Sequence, residues 1–201
     1  MSLPVAELVL FTSSEAYQND QGVLGGLIDI LNKTEGKIAT YHGPEVEDPT
    51  KGYLFVLWQT LEHHKALMSG PTYPALVETL KPAVGGPFEM LHINFTKDPT
   101  PALEAPVTEV ALVTLKPGKT KEEVGPLLHK LTGLPTPGIV LSTWGPTVEK
   151  EETLIIAAGW ESVEAHKQAS KGVSGEVAQL IASIRELVDI KITHGKLKKY
   201  D

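Results

Sequence analysis

Two glutamates at repeated positions are the first candidates for chemistry. Glu7 and Glu109 each stand at the start of an apolar run that is typical of a buried strand. Because side chains alternate between the two faces of a strand, Glu7 shares a face with Val9 and Phe11. If that face points inward, the carboxyl lies in apolar surroundings and can act as an acid or a base. The alternative is a carboxylate at a strand end that reaches water.

Two histidines also recur at matching positions. His64 and His166 each follow a tryptophan, Trp58 and Trp160, by six residues, in segments whose pattern predicts a helix. A histidine at the same place in both halves is either a base beside a pocket or a packing residue that bonds a backbone carbonyl. The two tryptophans end predicted strands, and we interpret them as core or pocket wall.

The last predicted strand of the first half carries a mixed face. Met90, His92 and Asn94 alternate with apolar residues, so they lie on one face of that strand. His92 and Asn94 can hold a substrate oxygen, and the imidazole can take a proton near neutral pH. The alternative is an exposed sheet edge. In the second half, an alignment shifted by three residues puts Lys191 and Thr193 at these places.

The first half is richer in polar and aromatic side chains than the second. Its Tyr41, Tyr53 and Tyr73 align with Thr143, Ile155 and Gly175. We therefore predict that binding or chemistry resides in the first half. The catalytic candidates are Glu7, His64, His92 and Tyr73. The binding candidates are Phe11, Tyr41, Tyr53, Trp58, Met90 and Asn94. The second-half candidates are Glu109 and His166.

These residues are carried by an internal repeat with an offset of 102 residues. The register holds without a gap from position 4 to 65, so Trp58 lies over Trp160 and His64 over His166. Each half has the predicted order βαββαβ. A capping box at Thr120–Glu123 opens one of the helices. The predicted strands are 5–12, 37–42, 53–58 and 89–95, then 107–115, 138–144, 154–160 and 188–194. The predicted helical segments are 20–33, 61–82, 119–131 and 162–186.

The predicted fold class is α+β, with two ferredoxin-like repeats. The first repeat spans residues 1–97, a proline-rich linker spans 98–106, and the second repeat spans 107–201. A four-stranded sheet with helices on one face leaves its other face bare, and the strands here are apolar on both faces. We therefore expect the two antiparallel sheets to pack against each other into one α+β barrel within the chain.

The repeated motif resembles a known family. The segment WESVEAHK at 160–167 and its twin WQTLEHHK at 58–65 look like the signature at the third strand and second helix of the dimeric α+β barrel superfamily. The SGPTY run at 69–73 is similar to the small-residue and tyrosine pattern that follows in that family. The superfamily includes antibiotic-biosynthesis monooxygenases and stress-responsive barrel proteins, and the resemblance covers the chain once per repeat.

The resemblance implies three functions. The first is a cofactor-independent enzyme, an oxygenase or a cyclase or isomerase, that acts on a hydrophobic oxygenated metabolite. The second is a non-catalytic ligand-binding or stress-related barrel protein. The third and weakest is haem binding, for which His64, His92 or His166 would supply the iron ligand. In several family members the first strand carries a histidine where this chain has Glu7 and Glu109, which argues against a mechanism that needs that histidine.

Other classes of site are disfavoured by the composition. The absence of cysteine excludes disulfides and thiolate metal ligands. His63 and His64 are adjacent and point about 100° apart on a helix, so they cannot easily share an ion, and we predict no metal site. The glycine-rich run at 22–26 lacks the spacing of a dinucleotide fingerprint. We expect no bound cofactor.

Charge and hydropathy indicate which kinds of partner the protein binds and where in the cell it is expected. The net charge is −7 with Arg185 as the sole arginine, which argues against a nucleic-acid partner. No apolar run approaches the ~20 residues of a membrane span. The N-terminal segment lacks the basic start of a signal peptide and soon reaches the acidic residue Glu7. The sequence predicts a cytoplasmic protein, a monomeric pseudo-dimer or a homodimer, whose ligand is a small hydrophobic molecule.

Overall fold

The predicted order of elements is present in both halves of the computed structural model, which describes residues 2–201. The strands are β1 (Val5–Ser13), β2 (Lys37–Pro44), β3 (Lys51–Trp58), β4 (Val84–Ile93), β5 (Val107–Leu115), β6 (Ile139–Pro146), β7 (Thr153–Trp160), β8 (Val188–Gly195) and β9 (Lys198–Tyr200). The helices are α1 (Glu15–Asn19), α2 (Gly25–Leu31), α3 (Leu61–Ser69), α4 (Tyr73–Leu80), α5 (Thr100–Leu103), α6 (Lys121–Gly133), α7 (Val163–Lys171) and α8 (Gly175–Leu187), with 3-10 turns at Gln21–Leu24 and Lys81–Ala83. No helix in this described part is both long and apolar enough to cross a membrane.

Two antiparallel sheets carry these elements. The first has the strand order β4-β1-β3-β2-β9 and the second has β6-β7-β5-β8. Without β9, both follow the ferredoxin-like order, in which the first and third strands of a repeat lie at the centre. The predicted α+β class with two ferredoxin-like repeats is therefore confirmed. The packing of one sheet on the other stays a prediction.

The chain divides into two units that differ from the predicted ranges. The first unit comprises the residues up to His92 together with Gly195–Asp201, and the second comprises Ile93–His194. The segment after β4 thus belongs to the second unit, and the end of the chain belongs to the first. Within the second unit, the amides of Asn94 and Thr96 donate to carbonyls of β6. Within the first, β9 pairs with β2.

The predicted linker at 98–106 is a packed part of the second unit. It contains α5, whose Ala102 and Leu103 are fully buried. The hydroxyl of Thr108 donates to the carbonyl of Ala102 over 2.9 Å. A Cβ placed on Gly159 would come within 2.8 Å of the Ala102 Cα, so this close approach requires glycine. The segment therefore contributes to the core as well as joining the repeats.

The strand registers repeat with the sequence offset. In the first sheet Glu7 pairs with Val56, and in the second Glu109 pairs with Ala158. The bulge between Lys37 and Ala39 in β2 recurs at the matching place in β6. Because pairing partners and bulges coincide, each residue of one unit's central strands has a direct structural counterpart in the other.

Capping and tight turns set where the helices begin. The predicted capping box is confirmed, since the Thr120 amide donates to Glu123 Oε2 over 2.8 Å and the Glu123 amide donates to Thr120 Oγ1 over 3.3 Å. Gly36 has φ +79°, and a Cβ there would lie 2.2 Å from the His63 ring. The Gly36 carbonyl accepts from the Gln59 amide at 2.7 Å. This turn places the start of α3 against the sheet. His64 follows one helical turn after that start.

Each unit has its own apolar core between the sheet and its helices. In the first unit α2 and α4 cover β1 and β3, and the core includes Val9, Leu54 and Trp58. In the second unit α6 and α8 cover β5 and β7, with Leu128 and Ile184 fully buried between them. Each such buried leucine or isoleucine stabilises the fold by about 1.5–3 kcal/mol.

A histidine on β2 lies buried between Tyr17 and the C-terminal strand β9. The His42 ring stacks on Tyr200 with ring centroids 3.9 Å apart, and its Nδ1 lies 3.1 Å from the Tyr17 hydroxyl. Burial, with a smaller contribution from Lys198, lowers the pKa of His42 to about 4. Burial and nearby Tyr200 raise the pKa of Tyr17 above its ordinary value. Both groups are therefore neutral at pH 7.

Acidification should therefore destabilise the protein through His42. The unfolded chain takes up a proton near pH 6.5 and the folded chain only near pH 4, so stability falls as pH drops through this window. The loss approaches about 3 kcal/mol at the acid end. In urea unfolding at pH 7.5 and 4.5, the parent should lose most of this amount relative to His42→Gln. An unchanged difference between parent and variant at the two pH values would contradict it.

Candidate functional site

A buried cluster of four side chains lies at the end of the first unit's central strands. The Trp58 indole N–H donates to Glu7 Oε2 over 2.9 Å. His64 Nδ1 lies 2.7 Å from His92 Nε2 and 3.4 Å from Glu7 Oε2. The rings of Trp58 and His64 stack with centroids 4.8 Å apart and planes within 8°. We call this the first-unit cluster.

The second unit contains the same arrangement. The Trp160 indole N–H donates to Glu109 Oε2 over 2.7 Å. His166 Nδ1 lies 2.8 Å from His194 Nε2 and 3.5 Å from Glu109 Oε2. Trp160 and His166 stack with centroids 4.7 Å apart. We call these four residues the second-unit cluster.

Four elements bring each cluster together, and the second unit shows how. Val107 pairs with Trp160 in the strand register, so the end of β7 lies beside the start of β5. Glu109 lies two residues after Val107 on β5, and its side chain is therefore on the same face of the strand. Ser162 caps α7, its hydroxyl accepting from the Ala165 amide at 3.0 Å. One turn of that helix places His166 over the indole. The last strand, β8, lies beside β5 and supplies His194.

The geometry defines what the cluster can do. Two imidazole nitrogens 2.8 Å apart share one hydrogen, so one ring donates and the other accepts. A carboxylate oxygen lies within 3.5 Å of the same nitrogen of His166. Such an assembly can take a proton from a group beside it and pass it between rings. The indole N–H holds the Glu109 carboxylate in place.

The structure brings several of the residues predicted in the first half into contact. Glu7, His64, His92 and Trp58 meet in the first-unit cluster, and Glu7 shares a face with Val9 as alternation predicted. Two further candidates, Tyr73 and Met90, line the small cavity beside that cluster. Burial, followed by the charge of Glu7, raises the pKa of Tyr73.

Four other candidates lie outside the cluster. Phe11 is a core residue that packs edge-on against Tyr17. Tyr41 and Tyr53 are buried in β2 and β3, and the Tyr53 hydroxyl donates to Glu45 Oε2 over 2.9 Å. Asn94 is exposed, belongs to the second unit, and bonds to that unit's β6 through its backbone amide. Neither the cluster nor its cavity includes these side chains.

The sequence alignment of the last strands was wrong. It paired His92 with Lys191, but Lys191 is exposed and His194 occupies the place of His92. The unshifted offset of 102 pairs His92 with His194 directly. The second half therefore retains the histidine pair, and the expectation that it had lost His92 needs correction. His194 is the residue of the second-unit cluster that the sequence reasoning missed.

The cavities beside the two clusters differ tenfold in volume. The cavity at Glu7 and His64 measures about 50 Å³. The open cavity at Glu109 and His166 measures about 510 Å³, and Trp160 forms part of its wall. This observation runs against the prediction that the first half holds the working pocket.

Three small side chains contribute to the larger cavity. Ala111, Ala158 and Ala169 line it. The strand registers match the first two with Val9 and Val56, and the sequence offset of 102 residues matches Ala169 with Leu67. All three of the larger residues border the small first-unit cavity. Each alanine lacks the branched carbons of its counterpart, so space that is filled in the first unit stays open in the second.

Charged groups lie at the solvent side of the second-unit cavity. Lys116, Arg185 and Asp189 form part of its lining. The Lys116 ammonium donates to the Arg185 carbonyl at 2.5 Å and lies 4.0 Å from the Asp189 carboxylate. The cavity thus has an apolar interior, the His–Glu cluster on one wall, and two cationic side chains near the opening.

Comparison with known structures identifies the fold. A proposed monooxygenase from Fusobacterium nucleatum matches with a TM-score of 0.70 at 9% identity, over 100% of this chain and 95% of its own. An anthrone oxidase-like protein matches with a TM-score of 0.69 at 13% identity, over 98% and 93%. A proposed monooxygenase from Lactobacillus acidophilus gives 0.63 at 12% identity, over 98% and 94%. No protein-family model and no curated protein matches the sequence.

These matches confirm the predicted fold. The chain shares the full-length α+β fold of monooxygenase-like proteins, as the resemblance of the repeated motif predicted. At such low identity the likeness concerns the fold alone. The activity has to be argued from the site.

Proposed function

We propose that the second unit binds a small, largely apolar, oxygen-bearing molecule in its cavity and removes a proton from it. The observation that carries this proposal is the position of the Glu109–His166 pair on the wall of a cavity of about 510 Å³. Ligand pockets typically measure about 300–1,000 Å³ and combine apolar walls with a few convergent polar groups. The second-unit cavity has this composition.

The proposed proton route runs through Glu109 and His166. Glu109 and His166 line the cavity, so either can receive a proton from a bound molecule. His194 is not part of the lining and acts as a positioning residue, because its hydrogen bond fixes the orientation of the His166 ring. The resulting carbanion or phenolate is then electron-rich enough to react with O₂ without a cofactor, or to rearrange or cyclise.

An aromatic ketone of the anthrone type suits this chemistry. The name of one structural relative, an anthrone oxidase-like protein, supports this choice of substrate class. In the oxidation, the ring CH₂ loses both hydrogens and O₂ is the oxidant. One oxygen atom becomes the new carbonyl, and the other leaves as water with the two hydrogens.

A second candidate function is ligand binding without turnover. The first-unit cluster has the same four residue types and the same contacts, yet it lies beside a cavity of only about 50 Å³. The cluster therefore also has a packing role that needs no ligand. On this reading the second unit stores or carries an apolar molecule.

Anthrone is the probe that separates the two candidates. It should bind and quench tryptophan fluorescence, because Trp160 lines the cavity, and the protein should convert it to anthraquinone with uptake of O₂. Glu109→Gln should lower turnover about 100-fold or more. Gln keeps an acceptor for the indole N–H, so the fold is preserved.

The matched control is Glu7→Gln in the first unit, which should leave turnover unchanged. Binding without conversion would favour the non-catalytic candidate. Absence of binding, or sensitivity to Glu7→Gln with none to Glu109→Gln, would contradict the placement of the site in the second unit.

A further inference from the structure

We infer that Glu109, His166 and His194 form a binding site for one divalent first-row transition-metal ion, with Zn²⁺ as the reference ion. The three side chains each offer one ligand atom, and these atoms all lie within 4.8 Å of one another. They come from β5, α7 and β8, which are far apart in sequence. No local motif signals such a site, and the sequence predicted none.

The distances suit a tetrahedral ion. Zn²⁺ bonds to nitrogen and oxygen ligands at about 2.0–2.2 Å, which places tetrahedral ligand atoms about 3.3–3.5 Å apart. The His166 Nδ1 to Glu109 Oε2 distance is 3.5 Å, and the His166 Nδ1 to His194 Nε2 distance is 2.8 Å. A small rotation of one imidazole opens the shorter distance to the required value. The ion then takes the place of the hydrogen that the two rings share.

The ligand types define the class of ion. Two imidazoles and one carboxylate suit Zn²⁺, Co²⁺ or Fe²⁺, and the same set occurs in catalytic zinc and non-haem iron sites. Mg²⁺ and Ca²⁺ prefer oxygen ligands and should not compete. Glu109 and His194 are almost fully buried, so the ion would sit out of bulk water on two sides.

The surroundings already orient two of the ligands. Trp160 donates its indole N–H to the Glu109 carboxylate and stacks on the His166 ring. Hydrogen bonds and packing of this kind around a ligand commonly raise metal affinity. Because Glu109 and His166 line the cavity, the remaining coordination position would face it and be open to water or to an oxygen atom of a bound molecule.

Ion and proton compete for the same lone pairs. An ion bound here would therefore inhibit proton removal by Glu109 and His166. The inference does not rest on the proposed function, because ion binding is measured without any organic ligand.

The test is a titration of chelator-treated protein. Isothermal calorimetry with Zn²⁺ should show one ion per chain, because the cavity of about 50 Å³ beside the first-unit cluster leaves little room for the water or ligand oxygen that completes the coordination. Co²⁺ should give visible absorption bands typical of tetrahedral nitrogen and oxygen ligands. His194→Ala should weaken Zn²⁺ binding at least 100-fold. His92→Ala removes the matching histidine beside the small first-unit cavity and should leave the affinity unchanged.

Circular dichroism of the zinc-free variants checks that they fold. If His194→Ala does not fold, Glu109→Gln replaces it as the ligand variant, and the titration of the parent protein stands by itself. Absence of saturable binding to the parent would overturn the inference. So would a loss of binding in His92→Ala with none in His194→Ala. A failed zinc titration leaves the anthrone experiment untouched, so the two proposals fail separately.

Discussion

Filling the second-unit cavity should abolish ligand binding: the triple variant Ala111→Val, Ala158→Val, Ala169→Leu is expected to bind anthrone at least 100-fold more weakly than the parent. The substitutions copy Val9, Val56 and Leu67, which border the small cavity of the first unit. The added carbons occupy the space of the ligand, and each buried CH₂ removed from ligand contact costs about 0.8 kcal/mol. Fluorescence titration of the two proteins measures the change.

Stability provides the control for this variant. The added side chains enter space that is open. We therefore expect the free energy of unfolding to change by less than the about 1–3 kcal/mol that overpacking of a filled core typically costs. Anthrone binding that survives in a folded triple variant would place the ligand elsewhere. The converse change, Leu67→Ala in the first unit, should cost about 2–5 kcal/mol, because it creates a void in a filled core.

Replacing the buried tryptophan of the first unit should have the largest effect on stability. Trp58 is fully buried, and Trp58→Ala is expected to cost about 3–5 kcal/mol by loss of packing. It also removes the donor to the Glu7 carboxylate. Urea unfolding measures the loss. It is a large part of the total free energy of unfolding of a typical domain, which is about 5–15 kcal/mol.

The second unit supplies the comparison for this prediction. Trp160 occupies the matching place but borders the large cavity, so Trp160→Ala enlarges existing space and should cost less than Trp58→Ala. If Trp58→Ala fails to fold, Trp58→Phe keeps most of the packing, and its loss of the indole hydrogen bond should cost about 1–3 kcal/mol. An equal or larger cost for Trp160→Ala would contradict the difference in packing between the units.

Most of the fold could be predicted because the repeat preserved rare residues. Trp and His at one constant offset fix the register through the third strand, and the strand pairing follows it. The break predicted near Gly70 separates α3 from α4. The short helix α1 was not predicted, because its start depends on Ser14, whose hydroxyl accepts from the Tyr17 amide. A cap of this kind is too common in sequences to identify five helical residues.

Seven of the eight residues in the two clusters could be named from the sequence, and His194 was missed for a physical reason. Glu7, His64 and His92 were chosen separately by residue type, and the fold brought them together. His194 was missed because apolar residues guided the alignment of the last strands. The shift of three residues matched Leu91 and Ile93 with Ile190 and Ile192, but three is an odd number, and an odd shift pairs residues from opposite faces of the two strands. A histidine is rarer and would have been the better guide.

The position of the cavity could not be predicted from the sequence. It depends in part on three alanines that come from two strands and a helix and meet only in the folded unit. The aromatic and polar richness of the first half pointed the other way. Tyr41 and Tyr53 are buried in the sheet there and do not line the cavity at Glu7. Side-chain polarity alone does not distinguish a pocket from a core with satisfied hydrogen bonds.

The pairing of β9 with β2 has a consequence for how the protein is made. All residues of the second unit, Ile93–His194, leave the ribosome before Gly195–Asp201, which complete the first unit. The half that is synthesised first is thus completed last. Until Lys198–Tyr200 arrive, β2 is an open sheet edge that can pair with another chain. A nascent chain halted at residue 194 would expose that edge, while the second unit would already hold every residue that it needs.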